Sequence, residues 1–281
     1  MATELAESET RQPFDLSQEM TQKIEELGIK SQLDHLRDEG YAIFENVSSP
    51  DFNSRLRETC IRLAQETTSK AKGHSASLLL GRDPIYAEVV LHPVIQALTE
   101  VMCGKGALLS QLIASIRPDK APSIGLHADQ NWLPAPFPKH NQIFTMCWAM
   151  DEFSETAGCT KVIPKSHLLK RHPNQQEREN EKGAIPIICP ENSIVAWDGS
   201  IWHSNYPRTM EGDRVVLHIT FSRLALRTVE NYDHLDEDWL EGKPEALSVM
   251  LGRHDFLGST TIERGSADYK LIPRTFGWAK T

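Results

Sequence analysis

The sequence predicts a mainly β fold with flanking helices: a sandwich or barrel of strands behind a helical front, in one domain. Three observations carry this expectation. Six short β-favouring runs, separated by turn residues, crowd into about 115 residues after Gly106. Apolar side chains earlier in the chain recur instead at three- and four-residue spacing. Composition is ordinary for a globular protein, with 40% hydrophobic and 25% charged residues, and 281 residues can bury a core without disulfide or metal staples.

Residues 1–15 are polar and acidic and are expected to form a flexible N-terminal arm, leaving 16–281 as the domain. Leu16, Met20, Ile24 and Leu27, then Ile29, Leu33 and Leu36, predict helix over 16–38, with a break or cap at Gly28. A strand is predicted at 41–47, bounded by Gly40 and a Ser-Ser-Pro turn, and helices at 51–70 and 93–102. The turn-rich stretch 71–84 reads as a mobile segment. These elements make 16–105 a mainly helical front. Strands are predicted at 108–116, 142–150, 159–164, 185–189, 193–197 and 214–222, so that 106–224 forms the β core. The acidic extension 225–281, with His234, Trp239 and Trp278, receives no element.

Thirty basic against thirty-nine acidic residues give a net charge of −9. The pI near 5.7 argues against nucleic acid or an anionic membrane as a main partner, since both need a positive footprint. No apolar stretch is long enough to span a bilayer. Five cysteines without a C-x-x-C, and no signal peptide, predict reduced thiols in a cytoplasmic protein acting on a small molecule.

Chemistry concentrates in the β half. In a strand, His127 and Asp129 of 127-HAD-129 would point to one face. His203 is the best-placed third ligand, and two imidazoles with one carboxylate leave an iron positions open for a bidentate co-substrate and O2. The gap from Asp129 to His203 holds roughly six or seven strand-plus-loop units, enough to circle a barrel. A second H-x-D, 234-HLD-236, serves as a control, because only His254 follows it. On spacing alone, a turn-capping Asp beside a hydrogen-bonded His fits His127 and Asp129 equally well. Arg214 opens a run in which Arg214, Val216, His218, Thr220 and Ser222 share one face, with Val215, Leu217, Ile219 and Phe221 on the other. A guanidinium inside a barrel needs an anion, and its fork matches a carboxylate such as the distal one of 2-oxoglutarate. The alternative is a structural ion pair with Asp213.

The segments 127-HADQNWLP-134, 148-WAMDEFSETAGCTKVIPKSH-167 and 194-IVAWDGSIWHSNYPRTMEGDRVVL-217 resemble the motifs of the phytanoyl-CoA dioxygenase (PhyH-like) family of Fe(II)- and 2-oxoglutarate-dependent oxygenases. The resemblance covers roughly residues 38 to 225. It implies a double-stranded β-helix (jelly-roll, cupin-like) core wrapped by N-terminal helices. It also implies His127, Asp129 and His203 as iron ligands and Arg214 as the anchor of the 2-oxoglutarate tail. Thr160 matches a position that hydrogen-bonds the co-substrate, and Trp148 an aromatic lining the same pocket. The implied reaction consumes O2 and 2-oxoglutarate, releases succinate and CO2, and oxidises an unactivated C–H bond of a small organic substrate. Hydroxylation is the default; desaturation, cyclisation and epimerisation share the chemistry, whereas halogenation is disfavoured because halogenating relatives lack the carboxylate of Asp129.

The chain departs from the family in two places. Lys165 stands where glycine is common in the P-G-S-H turn, which makes His167 structural. Ile124 stands where some fungal relatives carry a co-substrate glutamine, with Gln111 or Ser115 as possible replacements. His218 reads as a hydrogen-bonded neighbour of the site and His140 as a solvated loop residue. Trp132 and Phe137 read as substrate contacts, Trp197 and Trp202 as core, and 151–155 and 235–241 as solvated acidic faces. Specificity is expected from loops 71–84 and 130–141 and from the tail after 224. Two rivals use the same scaffold: a metal-dependent cupin-like enzyme that needs no oxo acid, and hence no Arg214, and a non-catalytic jelly-roll binding module.

Overall fold

The computed structural model describes residues 13–66 and 74–254. Most of the predicted arm, the end of the 51–70 helix, the start of the 71–84 segment and Trp278 lie outside the described residues.

Helix α1 (Gln18–Glu26) starts where Ser17 Oγ accepts from Met20 N–H at 3.1 Å, filling one of the donors that a helix start leaves free. Gly28, at φ +66°, breaks the helical stretch, and α2 (Lys30–Glu39) follows. Gly40, at φ +90°, caps α2, and a side chain there would collide with the His167 ring. His167 Nε2 meets Arg37 O at 3.2 Å, so this histidine closes the joint between α2 and the β core. Strand β1 (Tyr41–Phe44) precedes α3 (Pro50–Gln65), which Ser49 caps and Pro50 opens. Then come β2 (His74–Ala76), α4 (Pro84–Val90) and α5 (Pro93–Cys103).

The remaining strands are β3 (Leu108–Arg117), β4 (Ile143–Ala149), β5 (Thr160–Ile163), β6 (Ile185–Pro186), β7 (Ser193–Asp198), β8 (Trp202–Asn205) and β9 (Arg214–Ser222). A 3-10 turn (Ser166–Leu169) and the short helices α6 (Gln175–Asn180), α7 (Glu237–Leu240) and α8 (Glu245–Met250) complete the described chain. All strand pairs are antiparallel, in a six-stranded sheet β1-β7-β4-β9-β3-β2 and a three-stranded sheet β6-β5-β8.

Side-chain alternation sorts the large sheet into two faces. Phe144, Met146 and Trp148 of β4, with Leu217, Ile219 and Phe221 of β9, pack on helical residues such as Leu56, Leu63, Ile95 and Leu98. From the other face Cys147, Val195, Trp197 and Val216 pack against Val162, Cys159, Ile187 and Ile201. The helices thus cover one face of the large sheet and the small sheet closes over the other, the two-sheet arrangement of a jelly roll. No single described helix is long and apolar enough to cross a membrane, and the bent apolar pair α4–α5 is buried in the core.

The structure corrects several expectations. Part of the segment read as mobile forms β2 against β3. The 185–189 run yields only a two-residue strand, because Pro186 has no N–H to donate. Between Asp129 and His203 the chain makes five strands, counting β8 itself, and the 3-10 turn and α6 take up the rest.

Candidate metal centre

His127 and Asp129 do not lie on a regular strand. They belong to an extended segment held to β8 by one bridge, with His127 N–H donating to His203 O at 3.0 Å and His203 N–H to His127 O at 2.9 Å. The bridge suffices for parity: Ala128 is buried with Leu126, Phe137 and Trp202, while His127 and Asp129 turn the other way. His203 arrives on β8, opposite Val162 of β5.

The two imidazoles converge on one carboxylate oxygen. Asp129 Oδ1 lies 3.6 Å from His127 Nε2 and 3.4 Å from His203 Nε2, and all three ligand atoms lie within 4.8 Å of one another. His127 Nδ1 meets Gly125 O at 2.8 Å and His203 Nδ1 meets Ile201 O at 3.3 Å. A carbonyl can only accept, so each Nδ1 carries its proton and each Nε2 keeps a free lone pair. Trp197 Nε1–H donates to Asp129 Oδ2 at 2.9 Å and leaves Oδ1 facing the imidazoles.

Burial works to raise the pKa of Asp129, but His203, His127 and the Trp197 indole together hold it well below the usual carboxylate range. For His203 burial prevails over the attraction of Asp129 and lowers its pKa. For His127 burial is outweighed by the attraction of the Asp129 carboxylate and the hydrogen bond to Gly125 O, and its pKa is raised. An anionic carboxylate between two imidazoles with free lone pairs is a donor set suited to a divalent transition metal.

The three residues line a cavity of about 380 Å³ that Thr160, Arg214, His218, Gln111 and Ser115 also reach. Arg214 is buried, with Nη1 donating to Gly158 O at 2.5 Å and its guanidinium 4.8 Å from the centroid of the Phe153 ring. Its Nε is buried without a partner, and among the described residues it has no carboxylate partner, Asp213 included. Burial, then the charge of Arg117, pushes its pKa down to about 10. His218 Nδ1 meets Cys147 Sγ at 3.1 Å, and burial pushes its pKa down to about 4.

Trp148 is not brought to the cavity. On β4 it shares parity with Phe144 and Met146, so it faces the helices, donates to Asn53 Oδ1 at 3.2 Å and packs on Phe52 and His92. Phe137 is likewise buried away from the cavity, whereas Trp132, 66% exposed, stands at its mouth. The control motif behaves as ordinary structure: Asp236 caps α7 by accepting from Trp239 N–H at 3.0 Å. Among the cavity residues that sequence reasoning missed are Trp197, read only as core, and Arg117 at the end of β3. Both are revealed by strand register, which local sequence does not display.

Residues 36–216 match the model of the phytanoyl-CoA dioxygenase family, PhyH. The uncharacterized protein Rv1501 of Mycobacterium tuberculosis is 22% identical over 206 residues, 69% of this chain and 75% of its own. Dioxygenase trt7 of Aspergillus terreus is 23% identical over 237 residues, 77% of this chain and 81% of its own. Among solved structures, HygX from Streptomyces hygroscopicus, with nickel and 2-oxoglutarate bound, superposes with a TM-score of 0.62 at 13% identity, covering 75% of this chain and 93% of its own. EctD from S. alaskensis, with 2-oxoglutarate and 5-hydroxyectoine, gives 0.60 at 16% identity over 71% of this chain and 77% of its own. At these identities the two structures are shared folds.

Proposed function

The chain belongs to the phytanoyl-CoA dioxygenase family and is a non-haem iron, 2-oxoglutarate-dependent oxygenase; from that premise we propose that it hydroxylates an unactivated C–H bond of a small organic substrate, with release of succinate and CO2. In this reading His127 Nε2, Asp129 Oδ1 and His203 Nε2 hold iron(II), and Arg214 receives the distal carboxylate of 2-oxoglutarate. Two imidazoles and a carboxylate fit iron(II), and a buried guanidinium whose Nε has no partner fits the end of a dicarboxylate. Iron supplies the redox chemistry that couples decarboxylation of the oxo acid to oxidation of the substrate.

The chain's own residues set the stage. Gly125 O and Ile201 O fix the imidazole tautomers, and Trp197 holds the carboxylate. The Thr160 hydroxyl lies in the same cavity as Arg214 and can hydrogen-bond the co-substrate. Ile113 and Ile143 on the wall, with Trp132 at the mouth, offer apolar surface to the body of the substrate.

The observation that carries the proposal is the buried Arg214 guanidinium in the cavity of the triad, with an unpartnered Nε and no carboxylate partner among the described residues. A cupin-like enzyme without an oxo acid has no use for it, and a binding module needs neither. Anaerobic calorimetry tests the reading. We expect one iron(II) per chain, 2-oxoglutarate binding that requires the metal, and loss of metal binding in His127→Ala, Asp129→Ala and His203→Ala. Asp236→Ala, in the control motif, should leave both intact. Metal affinity unchanged by Asp129→Ala would overturn the ligand assignment.

A further inference from the structure

Arg117 closes β3 directly across from Arg214 in the β3–β9 register, and both side chains line the cavity. Like charges facing one another across a sheet are destabilising unless something anionic lies near them. Neither arginine has a carboxylate within ion-pair distance among the described residues, and each has a buried Nε without a partner. Arg208, the third arginine nearby, is by contrast satisfied by the carbonyls of Gly212, Ala157 and Glu211 at 3.0, 3.2 and 2.9 Å.

The two guanidiniums also diverge. Arg214 is held against Phe153 and Gly158. Arg117 Nη2 donates to Pro122 O, on the segment that runs through Ile124 to His127. Ile124 and Trp132, both cavity-lining, are 53% and 66% exposed, so Arg117 is drawn to the wall that leads to the mouth.

Charge makes the same point. Asp129 is the one carboxylate among the described cavity-lining residues. A divalent metal and two guanidiniums against Asp129 leave three positive charges, and the 2-oxoglutarate dianion removes two. We propose that the substrate carries an oxyanion, in the simplest case a carboxylate, and that Arg117 receives it at the mouth side of the cavity. This inference rests on the assignment of Arg214 to 2-oxoglutarate.

The test uses the full chain under anaerobic conditions with iron(II) and saturating 2-oxoglutarate. The probes are straight-chain carboxylates from butanoate to decanoate and their primary amides, with binding read by calorimetry and thermal shift. The best carboxylate should bind about tenfold or more tighter than its amide, the discrimination expected of a hydrogen bond to a charged group. Arg117→Gln should abolish that preference while the 2-oxoglutarate dissociation constant stays within about twofold of wild type. Arg117→Lys should restore part of the preference by returning the charge. Acid and amide binding equally, or neither binding, would overturn the inference. So would a 2-oxoglutarate affinity that falls tenfold in Arg117→Gln, since Arg117 would then serve the co-substrate. Failure of wild-type protein to bind 2-oxoglutarate at all would instead strike the assignment of Arg214, and is read in the first titration.

Discussion

Replacing Arg214 by lysine keeps a positive charge and removes the planar fork. With a carboxylate in front of it, the guanidinium can donate two parallel charge-assisted hydrogen bonds, and an ammonium offers one at a time. Loss of one such bond costs about 2 kcal/mol, which is about thirtyfold in the 2-oxoglutarate dissociation constant. Thermal melts report the same loss. At a hundred times the wild-type dissociation constant, 2-oxoglutarate stabilises the metal-loaded protein by about 2.7 kcal/mol; thirtyfold weaker binding leaves about 0.9 kcal/mol. For a chain of this size that is a rise in Tm falling from roughly 5–10 °C to about 2–3 °C. Ligand-free protein behaves differently. Arg214 lies buried with an unpartnered Nε and no carboxylate, so Arg214→Met should melt close to wild type while losing its response to 2-oxoglutarate. A structural ion pair demands the opposite, a loss of about 3–5 kcal/mol from the ligand-free fold. That loss, together with unchanged 2-oxoglutarate affinity in Arg214→Lys, would refute the assignment.

Trp197→Phe removes the indole N–H from Asp129 Oδ2 but keeps an aromatic ring in the inter-sheet core, so metal affinity measured by competition with a chelator should fall about 10–100-fold while the fold persists. Trp148→Phe should do the reverse: Asn53 Oδ1 loses its donor in the core, urea unfolding should show a loss of about 1–3 kcal/mol, and 2-oxoglutarate affinity should not move. Acid should destabilise the ligand-free protein. Burial lowers the pKa values of His92, His167, His203 and His218, so below pH 6.5 the unfolded chain binds more protons than the folded one and stability falls as pH drops towards about 4, the folded value of His218. His127, whose pKa is raised, opposes the trend, and His218→Gln should flatten the slope between pH 6 and 5 by up to about 1.4 kcal/mol per unit; an unchanged slope would place the proton uptake elsewhere.

Strand alternation carried further than any single motif. The two faces of β9 were legible residue by residue: Val215, Leu217, Ile219 and Phe221 pack on the helices, and Arg214, His218 and Thr220 line the cavity. The same alternation on β4 puts Trp148 with Phe144 and Met146, on the helix side, so its expected place in the pocket contradicted a pattern already present in the chain. Short elements were harder. Strands β2 and β8, of three and four residues, fall outside every predicted strand, and each exists through a partner distant in sequence.

Long-range register also explains what the site concealed. His127 and Asp129 share a direction through one bridge to His203, so the proposed metal ligands themselves hold together the segment that presents them. Trp197 belongs to the core by its ring and to the site by its N–H, and apolar pattern registers only the first. Arg117, followed by Pro-Asp-Lys, looks like a solvated strand end until β3 is laid beside β9 and it meets Arg214. In this fold the side chains that prepare a site for charged ligands become visible where two strands align cations that have no anion of their own.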